Sequence, residues 1–171
     1  MHKKINIFIL MVFLAQSLLS KEPTMAILQD IESNDIQHFK FGNYQFTCLA
    51  YGVLSIDELY RESALDSKCQ ESINGFYNKR ADLKYYTNSK LKVMQLYNVE
   101  FKDSRCIIYT SGGKSLSEFL LEEGLAVIKP LFKDEEFQYY FLKAQKKAKM
   151  SRNGIWAKNI TRECISNIYN K

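Results

Sequence analysis

The run KAKMSRNGIW (147–156) constrains the fold more than any other stretch, because a long charged segment ends there on Gly154, Ile155 and the only tryptophan of the chain. A helix is predicted from about Asp134. Asp134, Glu135 and Glu136 sit in its first turn and Lys143, Lys146, Lys147 and Lys149 in its second half, the charge order that suits a helix dipole. Phe137, Phe141, Ala144 and Ala148 recur every three or four residues, so one narrow stripe faces a core. The small alanines imply a close neighbour. Gly154 is expected to stop the helix, and Ile155-Trp156 to fold back as a hydrophobic latch. The lysines then read as the solvated face.

The remaining elements follow from period and turn chemistry. HFKFGNYQFTCLAYGVL (38–54) alternates Phe39/Phe41 and Tyr44/Phe46 about Gly42-Asn43, which predicts a hairpin. Ser55–Thr87 reads as helical, with Ile73, Phe76, Tyr77 and Leu83 at helix-like spacing. Residues 90–101 predict a strand with Leu91, Val93, Gln95 and Tyr97 on one side, and 105–116 a second strand closed by Gly112-Gly113. Leu116–Glu123 predicts a short helix ended by Gly124, followed by the extended LAVIKP. The polar stretch 21–37, with Pro23, reads as a linker carrying a short helix around Met25–Ile31. This order gives the α+β class: a small antiparallel barrel with helices on one side. At 171 residues and 46% hydrophobic the chain has room for one domain, 38–160, with a tail at 161–171.

Residues 1–20 have a basic start (Lys3, Lys4), an apolar run from Ile5 to Leu14 extended by Ala15–Leu19, and a polar end at Ser20. That is the layout of a secretory signal peptide or, uncleaved, of an N-terminal anchor. An exported protein is expected, in a periplasm, at a cell surface or outside the cell. Removing 1–20 takes two of the 24 basic residues and none of the 19 acidic ones, so the net charge drops from +5 to +3. A mildly basic balance permits a polyanionic partner without requiring one. Cys48, Cys69, Cys106 and Cys164 allow three disulfide pairings. With no CxxC and only His38 outside the leader, a zinc site is not expected.

GLAVI (124–128) after a short acidic helix, then KAQKKAKMSRNGIW (143–156), resemble the carboxyl half of staphylococcal-nuclease-like (thermonuclease) domains. Ala144 and Ala148 take the places of that family's alanines, and Gly154-Ile155-Trp156 those of its closing triplet. DSRCIIY (103–109) resembles the strand that opens Asp-x-x-Gly-Arg and runs to a tyrosine, with Arg105 and Tyr109 in place and Ser104 where glycine is usual. The resemblance implies a five-stranded OB-type β-barrel with three helices. It also implies calcium-assisted phosphodiester hydrolysis, in which carboxylates hold the hard cation and arginines neutralise the transition state. In the family layout Cys48 and Cys106 lie on neighbouring strands.

Several family positions are altered. The Asp-Gly-Asp hairpin has no counterpart in 33–45, where Asp35 is the only acid. Thr47 stands at the first arginine and Leu54 at a metal-ligand position. Arg105 remains, while Asp57 and Glu58 fall a few residues late, either as relocated acids or as N-terminal acids of the next helix. One expectation is therefore a decayed nuclease-like domain that binds nucleic acid or protein, without a cofactor. Its nucleic-acid contacts would be Lys102, Arg105, Lys129 and Lys133. The alternative is an active calcium-dependent nuclease using Asp57, Glu58 and Arg105. A third reading is a disulfide-braced scaffold of the cell envelope, with an envelope protein as partner. A monomer is expected in each case.

Overall fold

The computed structural model describes residues 23–63, 66–157 and 160–165. The expected leader at 1–20 lies outside them. Five strands form one antiparallel sheet: β1 (Thr24–Ile31), β2 (Ile36–Phe41), β3 (Tyr44–Leu49), β5 (Leu96–Lys102) and β6 (Arg105–Tyr109), in the order β3-β2-β1-β5-β6. A second, two-stranded ladder pairs β4 (Val53–Ser55) with β7 (Ala126–Ile128). The large sheet curls until its edge strands meet at one point. There Ala50 bridges Cys106 in parallel, the Tyr51 amide donates to the Cys106 carbonyl at 3.0 Å, and a disulfide joins Cys48 to Cys106. The barrel of the sequence reading is thus a curled sheet stapled once rather than laddered shut.

Among the described residues six α-helices cover it: α1 (Ile56–Glu62), α2 (Ser67–Lys79), α3 (Ala81–Lys84), α4 (Thr87–Lys90), α5 (Leu116–Glu122) and α6 (Glu135–Ser151). The resemblance implies three helices; the larger number arises because the helical stretch 55–87 breaks into α1–α4. A capping box starts α5: the Ser115 hydroxyl accepts from the Glu118 amide, and the Glu118 carboxylate accepts from the Ser115 amide. Phe137, Phe141, Ala144 and Ala148 are buried on one side of α6, as the stripe predicts. Burying a phenylalanine such as Phe141 stabilises by about 2–3 kcal/mol.

Four sequence expectations need correction. The 21–37 linker is absent, because Thr24–Ile31 is the central strand, with Ala26 and Leu28 pointing into the core. Met25 and Ile27 are apolar too, which hid the alternation. The strand predicted from residue 90 begins only at Leu96, since Met94 turns the chain at φ 65° and leaves Val93 exposed while Leu91 is buried. The tail at 161–171 opens with a π-helical turn, Thr161–Ile165, whose Cys164 is buried and bridged to Cys69 of α2.

The fourth correction concerns Gly154. The helix is ended by Arg152 in the left-handed conformation, φ 53°, two residues before that glycine. Gly154 serves a different purpose. A Cβ on it would collide with the Gly124 carbonyl, and one on Gly124 would collide with the Asn153 carbonyl. The two backbones touch, the Ile155 amide donates to the Gly124 carbonyl at 2.7 Å, and Ile155 is fully buried. The latch is therefore a backbone contact between the end of α5 and the end of α6. Trp156 packs beside it with the Lys149 ammonium 4.4 Å above its ring.

Candidate functional site

The positions singled out by sequence gather where α1, the β1–β2 turn and the start of β6 meet. Ser55 caps α1 by accepting from the Glu58 amide at 2.8 Å, which places Asp57 and Glu58 in the first helical turn. Arg105 opens β6 after a tight turn in which Asp103 and Ser104 both have positive φ, 49° and 61°. Ser104 thus occupies, at a cost of about 1 kcal/mol, a conformation that glycine adopts freely.

Arg105 spends both Nη atoms inside the protein. Its Nη1 donates to the Ala50 carbonyl and to Glu58 Oε2, each at 3.1 Å, and reaches the Val53 carbonyl at 3.5 Å. Its Nη2 donates to Glu58 Oε1, completing a two-pronged ion pair. Lys129 Nζ stands 3.8 Å from the same carboxylate, and burial together with the charge of Arg105 pulls its pKa below the usual lysine value.

A second pair lies beside the first. Asp35 is fully buried; its Oδ2 accepts from Arg61 Nη2 at 2.7 Å and its Oδ1 from the Ser33 hydroxyl at 2.9 Å. Asp57 accepts from the Tyr77 hydroxyl at 2.6 Å and from the Asn34 amide at 3.2 Å. Burial raises the Asp57 pKa, with Asp35 adding to it, while those two hydrogen bonds act in the opposite sense. The Tyr77 phenol is pushed up by burial and by Asp57. Asn34, itself buried, ties the β1–β2 turn to α3 and α4 through the carbonyls of Leu83 and Lys84 and the amide of Thr87.

The structure separates the other expected contacts. Lys102 lies within 3.4 Å of Glu100 and Asp134 and 2.8 Å of Glu136. Burial works against its charge, but these three carboxylates outweigh that and raise its pKa. It is a neutralised group, not an open phosphate handle. Lys133 is exposed on the loop before α6. Thr47 shares a hydrogen bond with His38 Nδ1 at 3.0 Å. Leu54 is buried in β4 opposite Val127 and presents no oxygen ligand from its side chain.

Sequence reasoning missed Arg61, Tyr77 and Asn34. Arg61 stands one helical turn after Asp57 and Glu58, a spacing that places all three on one side of α1. Nothing in the sequence signals that Asp35 folds beneath it. The residues present do not fit a bound calcium: the carboxylates of Asp35 and Glu58 are held by arginines and that of Asp57 by Tyr77. Among the described residues no three His, Cys, Asp or Glu side chains group as a metal site requires.

A curled five-stranded sheet with helices packed over it, and an arginine at the start of β6, define an α+β domain of the OB-like, nuclease type. Residues 76–158 match the family described as Staphylococcal nuclease homologue, and that stretch is a staphylococcal-nuclease-like domain. The match takes in Arg105 and the Gly124–Gly154 contact, and begins after Thr47, Leu54, Asp57 and Glu58. No curated protein matches the chain.

Proposed function

We propose that this is an exported protein whose nuclease-like domain acts as a binding module for nucleic acid or protein rather than as a hydrolase. The observation that carries this reading is the Arg105–Glu58 pair. A guanidinium whose end-on fork is spent on a carboxylate, with the remaining Nη1 hydrogen on a main-chain carbonyl, already carries its counter-charge and keeps only its Nε side for a phosphate. Export is supported by the two disulfides, which persist in oxidising compartments.

One observation favours the alternative, an active divergent nuclease: two arginines and three carboxylates (Arg61, Arg105, Asp35, Asp57, Glu58) do converge in one region, as the shared electrostatics of Arg61 indicate. Incubation of the purified protein with single-stranded DNA and RNA, with calcium and with chelator, decides between them. No cleavage is expected under either condition. Calcium-dependent cleavage that is lost in Arg105→Ala and Asp57→Ala would overturn the binding-module reading.

A further inference from the structure

The end of the large sheet where the described chain begins carries an unusual amount of exposed apolar surface. β1 enters the sheet at Thr24, opposite Val99, and runs antiparallel to β2 with Ile27 opposite Lys40. Phe41, the Gly42-Asn43 turn and Tyr44 therefore stand level with the first residues of β1, and Phe101 extends past the point where β1 begins. Phe41 is 52% exposed and Tyr44 76%, flanking the tip of the β2–β3 hairpin; Phe101 is exposed on the same face of the sheet, and Met25, which alternates with the core-facing Ala26, on the other. The cluster is anchored from below, since the Phe101 ring sits 4.9 Å from Phe46, and Phe46 stacks on the buried Phe39 at 5.7 Å. Among the charged groups at this end, Lys102 is paired with three carboxylates, which leaves that flank net negative and suits a zwitterionic rather than an anionic surface.

The apolar run of the sequence ends close to this surface along the chain. From Leu19 to Thr24 are five residue steps, Ser20, Lys21, Glu22 and Pro23 lying between. Fully extended they reach no more than about 18 Å. A bilayer has a hydrocarbon core of about 30 Å and headgroup layers of only several ångströms on each side. As a helix Ile5–Leu19 is only about 22 Å long, shorter than that core, so with these residues in the hydrocarbon both the mismatch and the short tether draw the end of the sheet to the headgroups. Aromatic side chains are favoured at that depth, where a ring is buried and a phenol stays wet.

We propose that residues 5–19 stay on the protein as a membrane anchor and that Phe41, Tyr44, Phe101 and Met25 seat in the interfacial layer of the bilayer. The hairpin tip is then the second point of attachment, fixing the orientation of the domain so that the opposite end of β1 faces away. This inference does not depend on what the domain binds.

Depth-dependent quenching tests it. The full chain is reconstituted into phosphatidylcholine vesicles with and without bromine on the acyl chains, as Tyr44→Trp and, for comparison, as Tyr85→Trp. Tyr85 is an exposed aromatic that directly follows Leu83 and Lys84, whose carbonyls hold Asn34 at the far end of β1. An eight-residue strand separates the two positions by about 23 Å. The parent chain, with Trp156, gives the background to subtract. Quenching several-fold stronger at position 44 than at position 85 is expected. Equal quenching, as when the aromatic end covers a protein or nucleic acid instead, overturns the proposal. So does removal of residues 1–20 in an exporting host with release of the protein from the membrane fraction.

Discussion

Glu58→Gln removes the carboxylate that holds Arg105 while hardly changing the shape of the side chain. The side chains of Arg105 and Glu58 are only 15% and 9% exposed, so solvent screens the pair poorly. Deleting one partner of a buried pair costs about 3–5 kcal/mol, mostly the penalty for the charge left behind. Here Arg105 keeps the Ala50 carbonyl at 3.1 Å, and a glutamine amide keeps one acceptor, so a loss of about 2–3 kcal/mol is expected. At about 2–4 °C per kcal/mol for a chain of this length, the melting temperature falls by about 5–10 °C. A second effect follows from Lys129, which loses its nearest counter-charge at the same time. Two cations then stand together with the carboxylate between them gone, and single-stranded DNA should bind more tightly, with a salt dependence steeper by about one or two released counterions. Urea denaturation and fluorescence anisotropy across a salt series measure both. The double variant Glu58→Leu/Arg105→Met should recover most of the stability, because apolar side chains of similar size replace such pairs at little cost. A stability loss below about 1 kcal/mol with unchanged DNA affinity would show that the pair does not hold the arginine back.

Gly124→Ala and Gly154→Ala should each cost about 3 kcal/mol or more, since the new methyl meets a backbone carbonyl at a residue with positive φ; thermal melts check this, and a near-neutral effect at both sites contradicts the contact. Breaking the Cys48–Cys106 or Cys69–Cys164 bridge as a Cys→Ala pair should lower stability by about 4–5 kcal/mol, given sequence separations of 58 and 95 residues, and denaturant midpoints read the loss directly. Asp134 and Asp57 give opposite pH trends. Burial pushes Asp134 up, but its hydrogen bond from Tyr51 and the charge of Lys102 win and lower its pKa below 3.8, so its contribution is present above that value and is lost as the pH falls through the folded pKa. Asp57 is raised, chiefly by burial, so its contribution is full below 3.8 and is lost as the pH rises through its folded value. Asp134→Asn should remove the acid limb and Asp57→Asn the loss on the other side; denaturation midpoints between about pH 2 and pH 8 that both variants leave unchanged would refute this assignment.

The parts of the fold legible in the sequence are those written in one periodicity. The β2–β3 hairpin shows period-two aromatics around Gly42-Asn43, and α6 shows a stripe of period 3.6 with its charges in dipole order. β1 was obscured because Met25, Ala26, Ile27 and Leu28 are apolar without interruption and Pro23 precedes them, although only Ala26 and Leu28 enter the core. Gly154 was recognisable as special but for another reason than its use. A sequence shows that a residue lacks a side chain, not which backbone occupies the space left. At the site, Arg105 and the first-turn acids could be named from local pattern. Their pairing could not, because Glu58 and Arg105 are 47 residues apart and meet only after the sheet has curled. Asp35 and Arg61 are the same case at a shorter separation.

The disulfides interlace along the chain: the first cysteine pairs with the third and the second with the fourth. Every peptide bond from Cys48 to Cys164 therefore lies inside at least one closed loop, and those from Cys69 to Cys106 lie inside both. A protease that nicks this stretch once produces no free fragment, wherever it cuts. The pieces stay joined until a reductant reaches the buried bridge that spans the cut, or both bridges for a cut between Cys69 and Cys106, so a nicked molecule runs as one band without reducing agent and as two with it. In a protease-rich environment this keeps a cut domain assembled, with both halves of the Arg105–Glu58 pair still on one covalent body.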